Sequence, residues 1–317
     1  MALLGLLVAT AAAIVQLNQL FSAVILFGIY SLLSAALFVS MDAVDVAFTE
    51  ASVGAGITTI LMLGALSLTS SRQRQISWKR HLPAALVTVS IGVLLLFGLS
   101  DLPLFGDPSA PAFQHIYPRY VFESPYEVGI PNMVTSVLAS YRGYDTLGEV
   151  TVIFTAAVAV AGLMGQGSSA RDFSGGGMQH HLILRVSTKL LLPMILLFAL
   201  YVQFHGEYGP GGGFQAGVIF AAGFILYGLI FGMGSIRTVA PPGAIRVLCA
   251  VGLGLYIGVG LATMLLGGNF LDYDTLASHP VHGQHIGIIL IELGVGITVA
   301  ASMVSLFYAY AKYELRQ

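Results

Sequence analysis

Four glutamates stand in stretches that are otherwise apolar. Glu50 lies in DAVDVAFTEASVGAGITT, Glu149 precedes VTVIFTAAVAVAG, Glu207 sits in FHGEYGPGGGFQAG, and Glu292 lies inside IGIILIELGVG. A carboxyl group in such surroundings can exchange a proton or attract a cation, provided it faces protein or water rather than hydrocarbon. Asp145, four residues before Glu149, shares its helix face and can cap the helix beside Thr146. Asp45 lies about one turn before Glu50. The competing reading of Asp42, Asp45 and Glu50 is a helix-start cluster favoured by the helix dipole. For Glu149 it is a polar contact to a neighbouring helix. His205 and Glu207 can titrate at a glycine turn, and His285 lies two turns before Glu292. Lys189 can neutralise an acidic partner or snorkel to the interface. The candidate ion-path groups are therefore Glu149, Glu50, Glu292, Glu207, Asp45, Asp145, Lys189, His205 and His285.

Other chemistries find little support. The glycine-rich turn at 206–213 lacks the GKS or GKT of a phosphate loop, and an ordered turn lining a cavity or packing on another subunit fits better. His279, His282 and His285 have the spacing of one helical face, but Pro280 and Gly283 argue against a regular helix there, and no metal site is expected. Cys249 reads as a buried packing residue without an evident base, and no G-x-S-x-G elbow occurs. No covalent catalysis and no resident cofactor are expected.

The elements that must position these groups are membrane helices. Of 317 residues, 56% are hydrophobic and only 9% charged, against about 25% charged in a soluble domain. A net charge of -2 offers no field for nucleic acid. An all-α polytopic membrane fold follows, with about nine spans near 2–17, 21–40, 46–68, 82–100, 146–164, 183–204, 214–233, 244–266 and 285–310. The first is short. Basic residues cluster at 69–81 (Arg72, Arg74, Lys79, Arg80), at 165–189 (Arg171, Arg185, Lys189), at Arg237 and Arg246, and in the tail (Lys312, Arg316). Nine crossings put all four clusters on one side, which predicts a cytoplasmic C-terminus and an external N-terminus. The proline-rich segment 101–131 reads as an ordered external loop, and NMVTSVLASYRGYD as a short surface helix before re-entry near Thr146.

Three motifs then carry a resemblance. DAVDVAFTEASVGAGITTILML, RGYDTLGEVTVIFTAAVAVAGL and the pair FHGEYGPGGGFQAGVIFAA and GQHIGIILIELGVGITVAASM resemble parts of the Mrp-type multisubunit cation/proton antiporter family. Residues 1–68 are similar to a D-like three-helix domain, found near the C-terminus of the large A-type polypeptide of that family and as the D-type polypeptide of membrane-bound hydrogenases. Residues 69–164 are similar to an E-like two-helix domain with an external loop. A cytoplasmic linker at 165–182 leads to a B-like four-helix domain at 183–317. The resemblance implies a subunit of a multisubunit complex that exchanges monovalent cations, Na+ in the first place, for protons, with this chain contributing structural helices and part of an ion or proton path. It carries Glu149, Glu50, Glu207 and Glu292 over as the matching acids. It implies membrane lipids and other Mrp-type subunits as partners, including a large antiporter module that this chain is expected not to contain. The implied location is a prokaryotic inner or plasma membrane. Two alternatives are a membrane subunit of a redox-driven, hydrogenase-like or complex I-like pump, and a self-contained channel or carrier.

Overall fold

The computed structural model describes residues 1–67, 69–73, 78–165 and 178–314, which form a bundle of α-helices. Helices α1 (Ala2–Gln16) and α2 (Leu20–Ser40) form a hairpin. Helix α3 begins at Val44–Glu50, widens into a π-helix over Ala51–Thr58 and returns to α geometry over Thr59–Ser67. Then come α4 (Trp78–Leu99), α5 (Gly143–Gly165), α6 (Leu182–His205), α7 (Gly213–Phe231), the short α8 (Met233–Val239), α9 (Pro242–Leu265) and α10 (Pro280–Glu314).

Eight helices among the described residues are long and apolar enough to cross a bilayer, and α1 is a shorter apolar helix. Its 15 residues rise about 22 Å, short of a hydrocarbon core of roughly 30 Å. Helix α4 is exposed from Leu82 to Leu99 except at Gly92, and apolar but for Thr88 and Ser90, as suits a lone span in lipid or against another subunit. Arg74, Arg171 and Arg316, and most of the linker expected at 165–182, lie outside the described residues.

The proline-rich segment folds as short helical pieces, Ala112–Ile116, Arg119–Glu123 and Ser124–Glu127. Pro111 and Pro118 precede the first two pieces, and Pro125 lies in the first turn of the third, where a missing N–H costs nothing. Outside the spans, Tyr141 donates a short hydrogen bond to Glu127, and Arg119 pairs with Glu127 at 3.3 Å. The Tyr141 bond, with help from Arg119, holds the Glu127 carboxyl below its usual range. Burial and the Glu127 charge push Tyr141 up to about 12.

Two sequence expectations need correcting. Pro280 and Gly283 do not interrupt the last helix. Pro280 is its first residue, and Gly283 lets the backbone approach Tyr273, because a Cβ there would lie 2.2 Å from the Tyr273 carbonyl. Nor does Asp145 cap a helix at Thr146. The helix starts at Gly143, and Asp145 sits in its first turn, paired through Arg142 Nε at 2.7 Å.

Helix α10 is the spine of the B-like part. It packs on α9 where Gly252 meets Gly294, and on α7 where Gly213 and Gly217 meet Glu292 and Gly296. Cβ atoms at 252, 213 and 217 would lie 2.6, 2.0 and 2.7 Å from backbone oxygens of α10, so these helices touch backbone to backbone. Cys249 is buried, with its Sγ 3.0 Å from Ser302 Oγ.

Contacts between loops fix which ends of the helices lie together. Leu20 N–H donates to Ser71 O and Gln73 N–H to Asn18 O, which joins the α1–α2 linker to the segment after α3. Tyr308 Oη donates to Ala240 O at 2.7 Å, placing the end of α10 beside the end of α8. At the opposite end, Tyr273 Oη donates to Ala139 O at 3.0 Å and Asn132 N–H to Glu207 O at 2.9 Å.

Candidate functional site

The site grows from the chain reversal between α6 and α7. Gly206 and Gly212 come so close that a Cβ at 206 would lie 2.9 Å from Gly212 Cα, and Gly212 has φ +119°, a conformation open chiefly to glycine. Gly212 N–H donates back to Val202 O at 3.0 Å. The reversal is therefore an ordered turn rather than a loose tether. Its next free N–H groups point at carboxylates. Gly211 N–H donates to Asp45 Oδ1 at 3.2 Å, and Gly213 N–H, at the start of α7, donates to Glu292 Oε2 at 2.6 Å. Anionic acceptors suit both the open N–H groups and the positive end of the helix dipole.

Helix α3 brings in Asp45, together with Thr49, whose Oγ1 accepts from Gln215 Nε2 at 2.8 Å. Helix α10 brings in Glu292, and α5 brings in Glu149. All three carboxylates line one cavity of about 630 Å³, along with Thr49, Thr135, Thr146 and Gln215. Its remaining walls are apolar side chains and the glycine turn. No basic side chain lines it among the described residues. Glu149 itself is exposed on this chain, so the cavity is not sealed on the α5 side.

Helix α5 is pinned to the B-like part by two buried tyrosines. Tyr256 Oη donates to Gly143 O at 2.7 Å, and Tyr273 holds the preceding turn through Ala139. Burial pushes the Tyr273 phenol upward, so it remains a donor.

The other expected residues lie elsewhere. Glu207 pairs with His285, Oε2 to Nδ1 at 3.1 Å, behind the turn rather than in the cavity. Glu50 faces α2 just before the π segment, where a Cβ on Gly54 would lie 2.7 Å from its Oε1 and 2.6 Å from Ser31 Oγ. Asp145 is exposed and paired with Arg142. His205 stacks on Tyr201 with ring centroids 4.8 Å apart. Lys189 is exposed on α6. The rings of His279 and His282 lie 5.3 Å apart, tilted at 47°, and among the described residues no three His, Cys, Asp or Glu side chains are grouped to hold a metal ion.

Sequence reading missed Asn132, Thr135, Tyr256 and Tyr273. Thr135 Oγ1 donates to Gly206 O at 2.6 Å, and Asn132 Nδ2 reaches the turn and Asp45. The only signal was a polar Asn at the head of an otherwise apolar short helix, a position favoured for caps.

Fold and site define a multi-pass α-helical membrane protein whose acidic groups converge on one cavity beside an internal glycine turn. Residues 183–305 match the family described as a domain related to the MnhB subunit of Na+/H+ antiporter. Residues 5–71 match the MbhD family and residues 104–180 the MbhE family, the D and E subunits of MBH. A Staphylococcus aureus (strain Newman) protein named as antiporter subunit mnhB2 is 35% identical over 130 residues, covering 40% of this chain and 92% of that protein. The chain belongs to the Mrp-type antiporter subunit family, with D-like and E-like parts joined to a B-like part. A Rhizobium meliloti (strain 1021) protein, named as the probable A/B subunit of a K(+)/H(+) antiporter, is 26% identical over 337 residues, covering 93% of this chain. The chain spans only 32% of that relative's length. Among solved structures, the Mrp complex from Dietzia sp. DQ12-45-1b aligns with a TM-score of 0.75 at 26% identity, over 96% of this chain and 34% of the other. The membrane-bound sulfane sulfur reductase, an archaeal respiratory membrane complex, aligns with a TM-score of 0.56 at 29% identity, over 73% of this chain and 97% of the other.

Proposed function

We propose that this chain works within a multisubunit monovalent-cation/proton antiporter, and that the cavity of Asp45, Glu149 and Glu292 forms part of its ion or proton path. One observation carries the reading: three carboxylates from three separate family segments converge on one cavity. Antiport is supported by the relatives, whose names pair H+ with Na+ or with K+. Na+ is the first ion to test and K+ the second. The chemistry is transport rather than covalent catalysis, with no resident cofactor. Partners are the other subunits of the complex, a large antiporter module among them, and membrane lipid. The working units are 1–68, 69–164 and 183–317, joined through 165–182. The chain lies in a prokaryotic cell membrane with its N-terminus outside and its C-terminus in the cytoplasm. The basic clusters support this orientation, and the pairing of the α1–α2 linker with the segment after α3, and of the α8 and α10 ends, supports placing the two members of each pair on one side of the membrane.

The test uses the intact complex, with abundance and subunit composition checked first. Glu149→Gln, Asp45→Asn and Glu292→Gln keep size while removing titration. Each is expected to depress cation-driven proton exchange or to move its pH profile. Unchanged exchange over a full pH series in all three would refute the path. A second reading, a membrane subunit of a redox-driven complex, is favoured by the likeness to the sulfane sulfur reductase. Co-purified redox subunits would select it, and co-purified antiporter modules would select antiport.

A further inference from the structure

One side chain touches all three family segments. Asn132 precedes the short helix Met133–Thr135, and its Oδ1 caps that helix by accepting from Val134 N–H at 3.0 Å. That bond fixes the orientation of the amide, because Val134 N–H needs an acceptor. Nδ2 therefore faces three oxygens: Gly206 O and Gly209 O at 3.0 Å each, and Asp45 Oδ1 at 3.4 Å. Two hydrogens serve three acceptors. The backbone joins in, with Asn132 N–H donating to Glu207 O at 2.9 Å. The turn held in this way gives one backbone N–H to Asp45, from Gly211, and one to Glu292, from Gly213.

We infer that Asn132 is a positioning residue for the path: by tying the glycine turn to Asp45 it sets the hydrogen bonding of both Asp45 and Glu292, and with it the pH range over which the cavity exchanges protons. The inference rests on the proposed role of the cavity. The titratable groups around this node are Asp45 on α3, Glu149 on α5, Glu207 in the turn, Glu292 and His285 on α10, and His205 at the end of α6. No lysine or arginine lines the cavity among the described residues, so the neutral amide of Asn132 and the glycine N–H groups supply the donors.

Three variants of the full complex test it. Asn132→Asp keeps the cap acceptor but sets a second carboxylate beside Asp45. Like charges hold the shared proton more tightly, so the exchange profile is expected to move to higher pH by about 0.5–1 unit. Asp45→Asn with Asn132→Asp returns one carboxylate and one amide to the pair, and is expected to bring the profile back toward that of the parent. Asn132→Ser keeps a capping oxygen but cannot span to three acceptors, and is expected to lower the exchange rate about tenfold, the scale of one lost hydrogen bond to a charged group. A parent-like profile for Asn132→Asp in an assembled complex overturns the inference. So does a fall in the rate of Asn132→Asp with no shift in its profile, or failure of all three variants to assemble, since each makes Asn132 a purely structural tie. The carboxylate variants separate the two levels. If they too leave exchange unchanged, the cavity is not on the path. If they alter it while the Asn132 variants do not, only the role of Asn132 fails.

Discussion

Replacing Gly213 by alanine tests the contact on which the site is built. Gly213 opens α7 against α10, and a Cβ there would lie 2.0 Å from Glu292 O, 2.9 Å from Glu292 C and 3.0 Å from Gly296 N. Ordinary contact between such atoms is about 3.5 Å. The two helices must therefore part by roughly 1.5 Å at this point. All three neighbours are backbone atoms, so no side chain can rotate away. Overpacking of this kind costs about 1–3 kcal/mol. The same displacement stretches the 2.6 Å bond from Gly213 N–H to Glu292, and a hydrogen bond to a charged group contributes about 1.5–3 kcal/mol. The gain in helix propensity on replacing glycine by alanine offsets at most about 1 kcal/mol. A net loss of about 2–5 kcal/mol is expected. Gly254 on α9 is the control, because a Cβ there meets nothing within 4 Å and alanine gains propensity without crowding. The assay is retention of the intact, detergent-solubilised complex after a series of heat steps. Gly254→Ala should match or exceed the parent, and Gly213→Ala should fall apart at clearly lower temperature. Equal retention by the two variants would refute the backbone contact between α7 and α10.

Two further outcomes follow from the same geometry. Single cysteines placed at position 72 and within 267–278 should react with a membrane-impermeant thiol reagent from opposite faces of the membrane, and labelling of both from one face would contradict the orientation. Glu127 is held below its usual range by Tyr141, so its contribution to the order of segment 112–141 is present above the unfolded carboxylate pKa and lost as pH falls through the lower folded value. Protection of residues 112–141 against hydrogen exchange, taken relative to the intrinsic rate at each pH, should fall as pH drops through that window, and Tyr141→Phe should move the fall to higher pH.

The spans were legible because a helix crossing lipid must be long and apolar whatever it packs against. The acids were legible for the converse reason: a carboxylate in an apolar run stands out without any knowledge of its partners. Partnership itself was not legible. Asp45 meets Gly211 across 166 residues, and Asn132 meets Gly206 across 74, distances that no local periodicity encodes. Glu207 and His285 each stood out, yet their pairing across 78 residues did not. The π-helix after Glu50 was invisible because ASVGAGIT is compatible with α and π geometry alike. Pro280 misled because a proline reads as a breaker until its place at the first helical position is known.

The three acids of the cavity are not equivalent, and the difference bears on what each can do. Asp45 and Glu292 are tied to the glycine turn, each by a backbone N–H. Taking a proton weakens such a charge-assisted bond, so a change of charge at either one pulls on the turn, on the start of α7 and, through Asn132, on the loop ahead of α5. Glu149 accepts no hydrogen bond among the described residues and lies on the open side of the cavity. Its charge can change without moving the backbone. On the proposed path Glu149 is the group suited to rapid exchange with water or with a partner protein, while Asp45 and Glu292 are suited to turning protonation into movement. The family segments divide along the same line: Glu149 comes from the E-like part, Asp45 from the D-like part, and the turn with Glu292 from the B-like part. A cavity assembled from all three needs them in fixed register, and their joining in one chain, with Asn132, Tyr256 and Tyr273 as cross-ties, supplies that register.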